Sequence, residues 1–555
     1  MSKSKEGAAL IDLQIMWNRL LAVVEEQGQV LMRTAFSPIV RECGDLSAGV
    51  FDLKGRMLAQ ALTGTPGHVN SMAESVKHFI AHFPIENMRP GDAYITNDPW
   101  LGTGHLNDFV VTTPCFKNGK LVALFSCTSH LIDIGGIGYG PDGTDVFMEG
   151  LYIPMLKLID QGVINETLMA MIRANTRLPV DTEGDTYSLA ACNDVGARRL
   201  VEMMDEFGID TLDTLADHIC DRSREAVLAE IAKLPKGTWR NTMVVDGYEA
   251  PVTFEAAVTV SDTGIHVDFS GSSSASRFGI NVPLAYATAY SVFALACAIA
   301  PNIPNNAGSL GPLTVWAPPG SILNAQKPMP VATRHVLGMM LPDVVFGCLR
   351  QVIPERVPAE GASCVWLLTL RGRTHGTSGN YGFSISATNN GGTGARADKD
   401  GLSATAYPSG VQGTPVEITE AATPLIFWRK ELLPDSGGAG RTRGGLGQVI
   451  EVESGIGEPF QILAAFDRIE HPARGRDGGL DGRAGYIGLK SGVRLNGKGF
   501  QVIPPGERLV VNTPGGGGIG PASARDRTRV QQDIADELVS VEAAFVHYAY
   551  EAHAS

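Results

Sequence analysis

The sequence predicts an α+β fold: a helical N-terminal region around a small sheet, followed by β-rich segments with a few core helices. Three observations carry this. Apolar residues recur at helical spacing in the first 35 positions and again between 163 and 233. Two stretches before residue 131 alternate like strands and turn on glycine. From about 400 to 520 short strands alternate with glycine-rich turns. At 555 residues the chain exceeds one ordinary core, and it divides into 1–235, 236–400 and 401–555.

Taken in order, residues 10–35 form an amphipathic helix, with Leu13, Trp17, Leu20, Leu21, Val24 and Leu31 on one stripe, stopping before Ser37-Pro38. "SAGVFDLKGRMLAQ" reads as a hairpin turning at Leu53-Lys54-Gly55, and 70–82 as a helix. "MRPGDAYITND" is a Pro-Gly turn into a short strand, and a second hairpin covers 108–130. Helices are expected across 163–177, 186–207 and 209–233. Beyond "KLPKGTW" strands dominate, interrupted by helices near 283–299 and 337–352, and a last helix is expected over 526–550. The apolar run 282–301 approaches membrane-spanning length. Its tyrosines, Thr288, Ser291 and Pro283, without a basic flank, make it a buried core helix instead.

Composition excludes some functions. A net charge of −14 argues against nucleic acid and anionic membrane as partners, since both need clustered cations. Eight cysteines with no CxxC pair, most within apolar runs, read as buried reduced thiols. With an N-terminus that has no signal-peptide apolar core, they point to the cytoplasm.

The chemistry concentrates in "NDPWLGTGHLNDFVV". His105 and Asp108 stand three residues apart at the mouth of an apolar strand, and Asn118-Gly119 follows as a strong type I′ hairpin signal. A two-residue turn pairs Lys117 with Lys120 and sets Asp108 opposite Ser129; one extra residue of loop, or a bulge, sets it opposite His130. Convergence of the side chains favours the second arrangement. The hairpin then brings His105, Asp108 and His130 together as a divalent-metal site with an open coordination position. Zinc suits this donor set best, with manganese or iron(II) as alternatives. Asp98, Asp133, His68 and Asp45 are the nearby groups that serve as hydrogen-bonding partners of the ligands or as general base. A solvated turn is the alternative reading of the same residues, with Asp45 a turn residue and His68 a hydrogen bonder at the start of a helix.

Other motifs carry less. "GGGGIG" at 515–520 precedes Pro521 rather than a helix, so it is a close-approach turn and not a dinucleotide site. "DSGGAGRTRGGLG" is either an anion-binding nest or a tight β-corner whose arginines pair with local acids. "RADKDGLSATAY" has Arg396 and Tyr407 where a calcium loop needs ligands. There is no G-x-x-x-x-G-K-[ST], no G-x-S-x-G and no H-E-x-x-H.

The ordered series "GDLSAGVFDLKGRMLAQ", "GHVNSM", "ITNDPWLGTGHLNDFVV", "SHLIDIGG", "VDFSGSS", "NIPNNAGSLGPLTV", "PVEITE", "DSGGAGRTRGGLG" and "NTPGGGGIG" resembles the hydantoinase B/oxoprolinase family over nearly the full length. The family includes subunits of acetone and acetophenone carboxylases. The resemblance implies metal ligation by His105, Asp108 and His130. It also implies ring opening of a hydantoin, oxoproline or lactam, driven by ATP bound on an A-type partner in a hetero-oligomer, expected as a heterotetramer. A ketone-carboxylase subunit, or a scaffold for the ATPase without chemistry of its own, are the alternatives. The chain departs from the family pattern at Trp100, Thr103 and Asn107, positions expected on the pocket wall.

Overall fold

The computed structural model describes residues 2–62, 64–374 and 382–551, with side chains from Leu10 onward. The first sheet is built from β1 (Leu46–Phe51), β2 (Met57–Gln60), β3 (Ala93–Thr96), β4 (Asp108–Lys117), β5 (Lys120–His130), β6 (Leu156–Asp160) and β7 (Val163–Ile164), in the order β2-β1-β5-β4-β3-β6-β7. Its central strands are buried on both faces, and alternate residues feed different cores. Ala123 and Phe125 pack with α1 (Ser2–Thr34), while Leu124 packs with α3 (Pro66–His82). The short α2 (Pro38–Arg41) joins α1 to β1. Three further helices, α4 (Glu166–Asn175), α5 (Pro179–Glu206) and α6 (Asp213–Ile231), complete the N-terminal layer, with α5 lying on β4 and β5 beside α1.

A second sheet has β8 (Gly237–Val245), β9 (Val252–Val260), β10 (Ile265–Asp268) and β11 (Leu313–Trp316) in the order β11-β10-β9-β8. Beside it lie α7 (Leu284–Ile299), α8 (Ala307–Leu310), α9 (His335–Gly338) and α10 (Leu341–Leu349). The core-helix reading of 282–301 holds: α7 is 16 residues long, packs on α3 and α10, and no described helix is long and apolar enough to cross a membrane. The helix expected over 337–352 is two pieces, because Pro342 removes a backbone donor at the second start.

The C-terminal strands are β12 (Trp366–Gly372), β13 (Phe383–Asn389), β14 (Leu425–Leu432), β15 (Gln448–Ser454), β16 (Phe460–Ala465), β17 (Tyr486–Leu489), β18 (Lys498–Ile503) and β19 (Leu509–Asn512). They form two four-stranded sheets, β13-β12-β16-β18 and β14-β15-β19-β17. Among them sits α11 (Val416–Ala422), and α12 (Arg527–Ala535) and α13 (Val541–Tyr548) close the chain. The single terminal helix expected is thus broken: Glu537 takes a positive φ of 58°, Val539 turns inward, and Ser540 caps α13. The "GGGGIG" turn is a close-approach device, as read: a Cβ on Gly516 would sit 1.9 Å from the Thr393 carbonyl oxygen. Within "DSGGAGRTRGGLG", Arg443 lies 3.5 Å from the buried Asp533. The largest apolar core runs from Leu31 to Val511 and draws on all three stretches of the chain.

Candidate metal centre

The second hairpin settles its own register by using both devices. Asn118 and Gly119 have φ of 49° and 76°, and Lys117 pairs with Lys120, as a two-residue turn demands. A bulge then follows: Cys115 pairs with Ala123 while Phe116 pairs with Leu121, leaving Val122 as the extra residue. From there to the open end the register places Asp108 opposite His130. Strand β1 runs on the other side of β5, so the His130 N–H donates to the Asp45 carbonyl at 3.1 Å.

His105, Asp108 and His130 are buried, and donor atoms from the three lie within 4.8 Å of one another. His105 Nε2 is 2.7 Å from Asp108 Oδ1, and His130 Nδ1 is 3.3 Å from the same oxygen. The other carboxylate oxygen, Oδ2, accepts from Thr103 Oγ1 at 2.7 Å, approaches His68 Nε2 at 2.9 Å, and receives the Arg334 guanidinium. Burial alone would raise the Asp108 carboxyl. His105, His68 and Arg334 outweigh it and hold the group well below the ordinary carboxylate range. Burial also opposes charge on His68, yet Asp108 and Asp45 push that imidazole up.

The donor set fits a divalent cation on its own chemistry. His105 Nδ1 donates to the Ala332 carbonyl at 2.8 Å, which fixes the proton on that nitrogen. Burial and the Arg334 charge lower the His105 pKa to about 3, so the ring is neutral and Nε2 carries a bare lone pair. That lone pair faces a carboxylate oxygen at 2.7 Å, an arrangement relieved by a cation between or beside them. His130 Nε2 is buried with no hydrogen-bond partner.

A cavity of about 30 Å³ borders the cluster, with room for one or two waters. Asp45, His68, His105, His130 and Arg334 line it. Of the four accessory candidates, His68 and Asp45 are therefore at the site, 3.5 Å apart. Asp98 and Asp133 do not line the cavity. Asp98 caps its own turn through the Trp100 and Leu101 N–H groups and accepts from the Tyr152 hydroxyl. Asp133 is taken up by the backbone and guanidinium of Arg177. Trp100 and Asn107 are likewise off the wall: the indole donates to the Ala325 carbonyl at 2.8 Å, and Asn107 donates to the Leu131 carbonyl at 2.9 Å. Thr103 alone of the three departures touches a candidate ligand.

The family model for hydantoinase B/oxoprolinase matches residues 9–522. The chain belongs to that family. It is 28% identical over 568 aligned residues to the putative D-/L-hydantoinase B component of a Pseudomonas species, covering 97% of this chain and 94% of the relative. Its fold superposes on the crystal structure of the ATP-dependent caprolactamase of Pseudomonas jessenii with a TM-score of 0.87 and 25% identity, covering 98% and 96% of the two chains. A nucleotide-free acetone carboxylase shares the fold, with a TM-score of 0.85 at 20% identity over 98% and 80% of the chains.

Several groups at this candidate centre of the hydantoinase B/oxoprolinase chain escaped the reading from sequence. Arg334 clamps Asp108 and lies 4.0 Å above the Tyr286 ring. His335 lines the cavity and meets the Tyr139 hydroxyl at 2.9 Å. Glu149 accepts from the Val331 and Ala332 N–H groups at 2.6 and 2.8 Å, holding the loop whose carbonyl orients His105. The signal was present in "PVATRHVLGMM", where an Arg-His pair interrupts an apolar run with no local partner. Gly104 completes the clamp: its φ is 99°, and a Cβ there would lie 2.7 Å from Arg334 Cδ.

Proposed function

We propose that this chain is the metal-bearing B component of an ATP-dependent hydrolase of cyclic amides, working with an ATP-binding A-type partner in a hetero-oligomer. His105, Asp108 and His130 would hold the metal, zinc being the best match to two imidazoles and a carboxylate. When bound, the metal supplies Lewis-acid polarisation of a substrate oxygen and acidifies water toward neutral pH. The chain's own residues prepare the ligands for it. The Ala332 carbonyl sets the His105 tautomer, while Thr103, His68 and Arg334 occupy the second oxygen of Asp108 and leave the first facing His105 and His130. His68, between Asp45 and Asp108, is placed to hold a proton at Nδ1 or Nε2 beside the cavity.

The observation that carries this reading is the neutral His105 Nε2 facing Asp108 beside the unpartnered His130 Nε2. Support for the reaction class comes from the hydantoinase and caprolactamase relatives. The test is elemental analysis of the purified chain, followed by product release from hydantoins and lactams with the A-type partner and ATP. His130→Ala is expected to remove the metal and abolish turnover. Turnover surviving metal loss would leave only a scaffold role. Incorporation of labelled bicarbonate into product would replace hydrolysis with carboxylation.

A further inference from the structure

The cavity at the candidate metal centre has room for water but not for a ring, whereas a much larger one lies on the far side of the same helices. Its volume is about 820 Å³, within the range of ligand sites, and its wall is mostly apolar. The two cavities share walls. On α3, His68 lines the small cavity and Asn70 the large one; on α7, Tyr290 lines the small one and Val292 the large one. A molecule in the large cavity therefore lies about one helix diameter, ~10 Å, from the proposed metal ligands.

The polar groups of the large cavity are specific. Asn305 Nδ2 donates to Gln60 Oε1 at 2.7 Å and to Asn70 Oδ1 at 2.9 Å. Those bonds fix three amides from β2, α3 and the loop after α7. Gln60 Nε2 and Asn305 Oδ1 have no hydrogen-bond partner among the described residues, which leaves one donor and one acceptor on the cavity wall. No lysine, arginine or histidine lines it among the described residues, and Glu25 does. The wall thus disfavours carboxylates and phosphates and suits a neutral ligand. A ring amide, whose C=O and N–H lie cis on one edge, matches the donor and acceptor together.

We propose that this cavity binds a neutral cyclic amide carrying a bulky apolar side chain, its amide edge on Gln60 and Asn305 and its side chain against Val292, Ala296 and Ile303. Choosing the amide class rests on the function proposed above. An anionic ring such as oxoproline is excluded by the absence of a cation on the wall.

The test uses Cys297, which lines this cavity and is the exposed one of eight cysteines, the other seven being buried. Alkylation of Cys297 by N-ethylmaleimide is followed on the full chain by peptide mass spectrometry. Saturating 5-benzylhydantoin is expected to slow it about tenfold, the reduction expected when a site is about 90% occupied. Ala296→Phe fills the cavity and removes the protection; Gln60→Leu or Asn305→Leu weakens the apparent affinity about tenfold, as losing a hydrogen bond does. Three results overturn the inference: no protection, equal protection by 2-benzylcyclopentanone, which has no ring N–H, or protection that appears only when the A-type partner is added. If the wild-type complex hydrolyses hydantoins without such protection, the cavity inference fails alone. If His130→Ala leaves turnover intact, the metal reading fails while the protection stands.

Discussion

Asp108 meets five side chains, Thr103, His105, His130, His68 and Arg334, at zero exposure. Removing the guanidinium with Arg334→Leu takes from that carboxylate the one permanent positive charge it meets among the described residues. The expected loss is about 3–5 kcal/mol of stability in chemical denaturation of the metal-free chain. Glu149 behaves in the opposite sense. Burial pushes its carboxyl up to about 8, and Oε2 has no hydrogen-bond partner. Its ordinary value is 4.5, so between pH 4.5 and about 8 the folded chain holds a proton that the unfolded chain has lost. Stability therefore falls as pH rises through that window, by about 1.4 kcal/mol per unit from this group. Glu149→Gln, which keeps an acceptor for both N–H groups, is expected to flatten that slope in melts taken from pH 5 to 8. At this scale the sequence reveals what is local. His105, Asp108 and His130 are legible because one hairpin unites them. Arg334, His335 and Glu149 are not, because their partners lie far along the chain, and sequence proximity alone does not separate His68 and Asp45, which line the cavity, from Asp98 and Asp133, which bond to a turn and to Arg177.

The hairpin turn and its bulge together set the register of the candidate ligands. Gly119 has open space around it and a φ of 76°, so Gly119→Ala adds backbone strain only. It should cost about 1 kcal/mol in denaturation while leaving metal content unchanged. Deleting Val122 removes the bulge but leaves Leu121 opposite Phe116 and Ala123 opposite Cys115, so Asp108 stays opposite His130. The deleted protein is therefore expected to match the full chain in metal content by elemental analysis. The sequence narrowed the register to two choices, and side-chain convergence picked the right one; what it did not reveal was that turn and bulge occur together. Helices were legible where apolar periodicity ran uninterrupted, as in α1, α5 and α7. They were overextended where Pro342 or the inward turn at Val539 cut a run whose composition stayed apolar.

Across the whole molecule the parts are held by buried charge as well as by apolar area. Arg468 bridges Asp343 of α10 and Glu360 at 3.1 Å each, all three nearly inaccessible, with the Asp343 carboxyl pushed up to about 6 by burial. Arg468→Met should lower stability by about 3–5 kcal/mol in denaturant melts, since Asp343 loses its guanidinium and Glu360 is left with Arg474 alone, while metal content is expected to stay unchanged. Long-range joins of this kind have no signature in local pattern, which is why element types could be read from the chain and their assembly could not. The loop that orients His105 has a consequence for biosynthesis. His130 leaves the ribosome about two hundred residues before His335, a delay of roughly 10–40 s at ordinary elongation rates. During that interval the hairpin exists without the carbonyl that fixes the tautomer of one donor and without the arginine that holds another. Under the metal reading proposed above, loading would wait until residues 331–334 have been made and docked, and would report that they have folded.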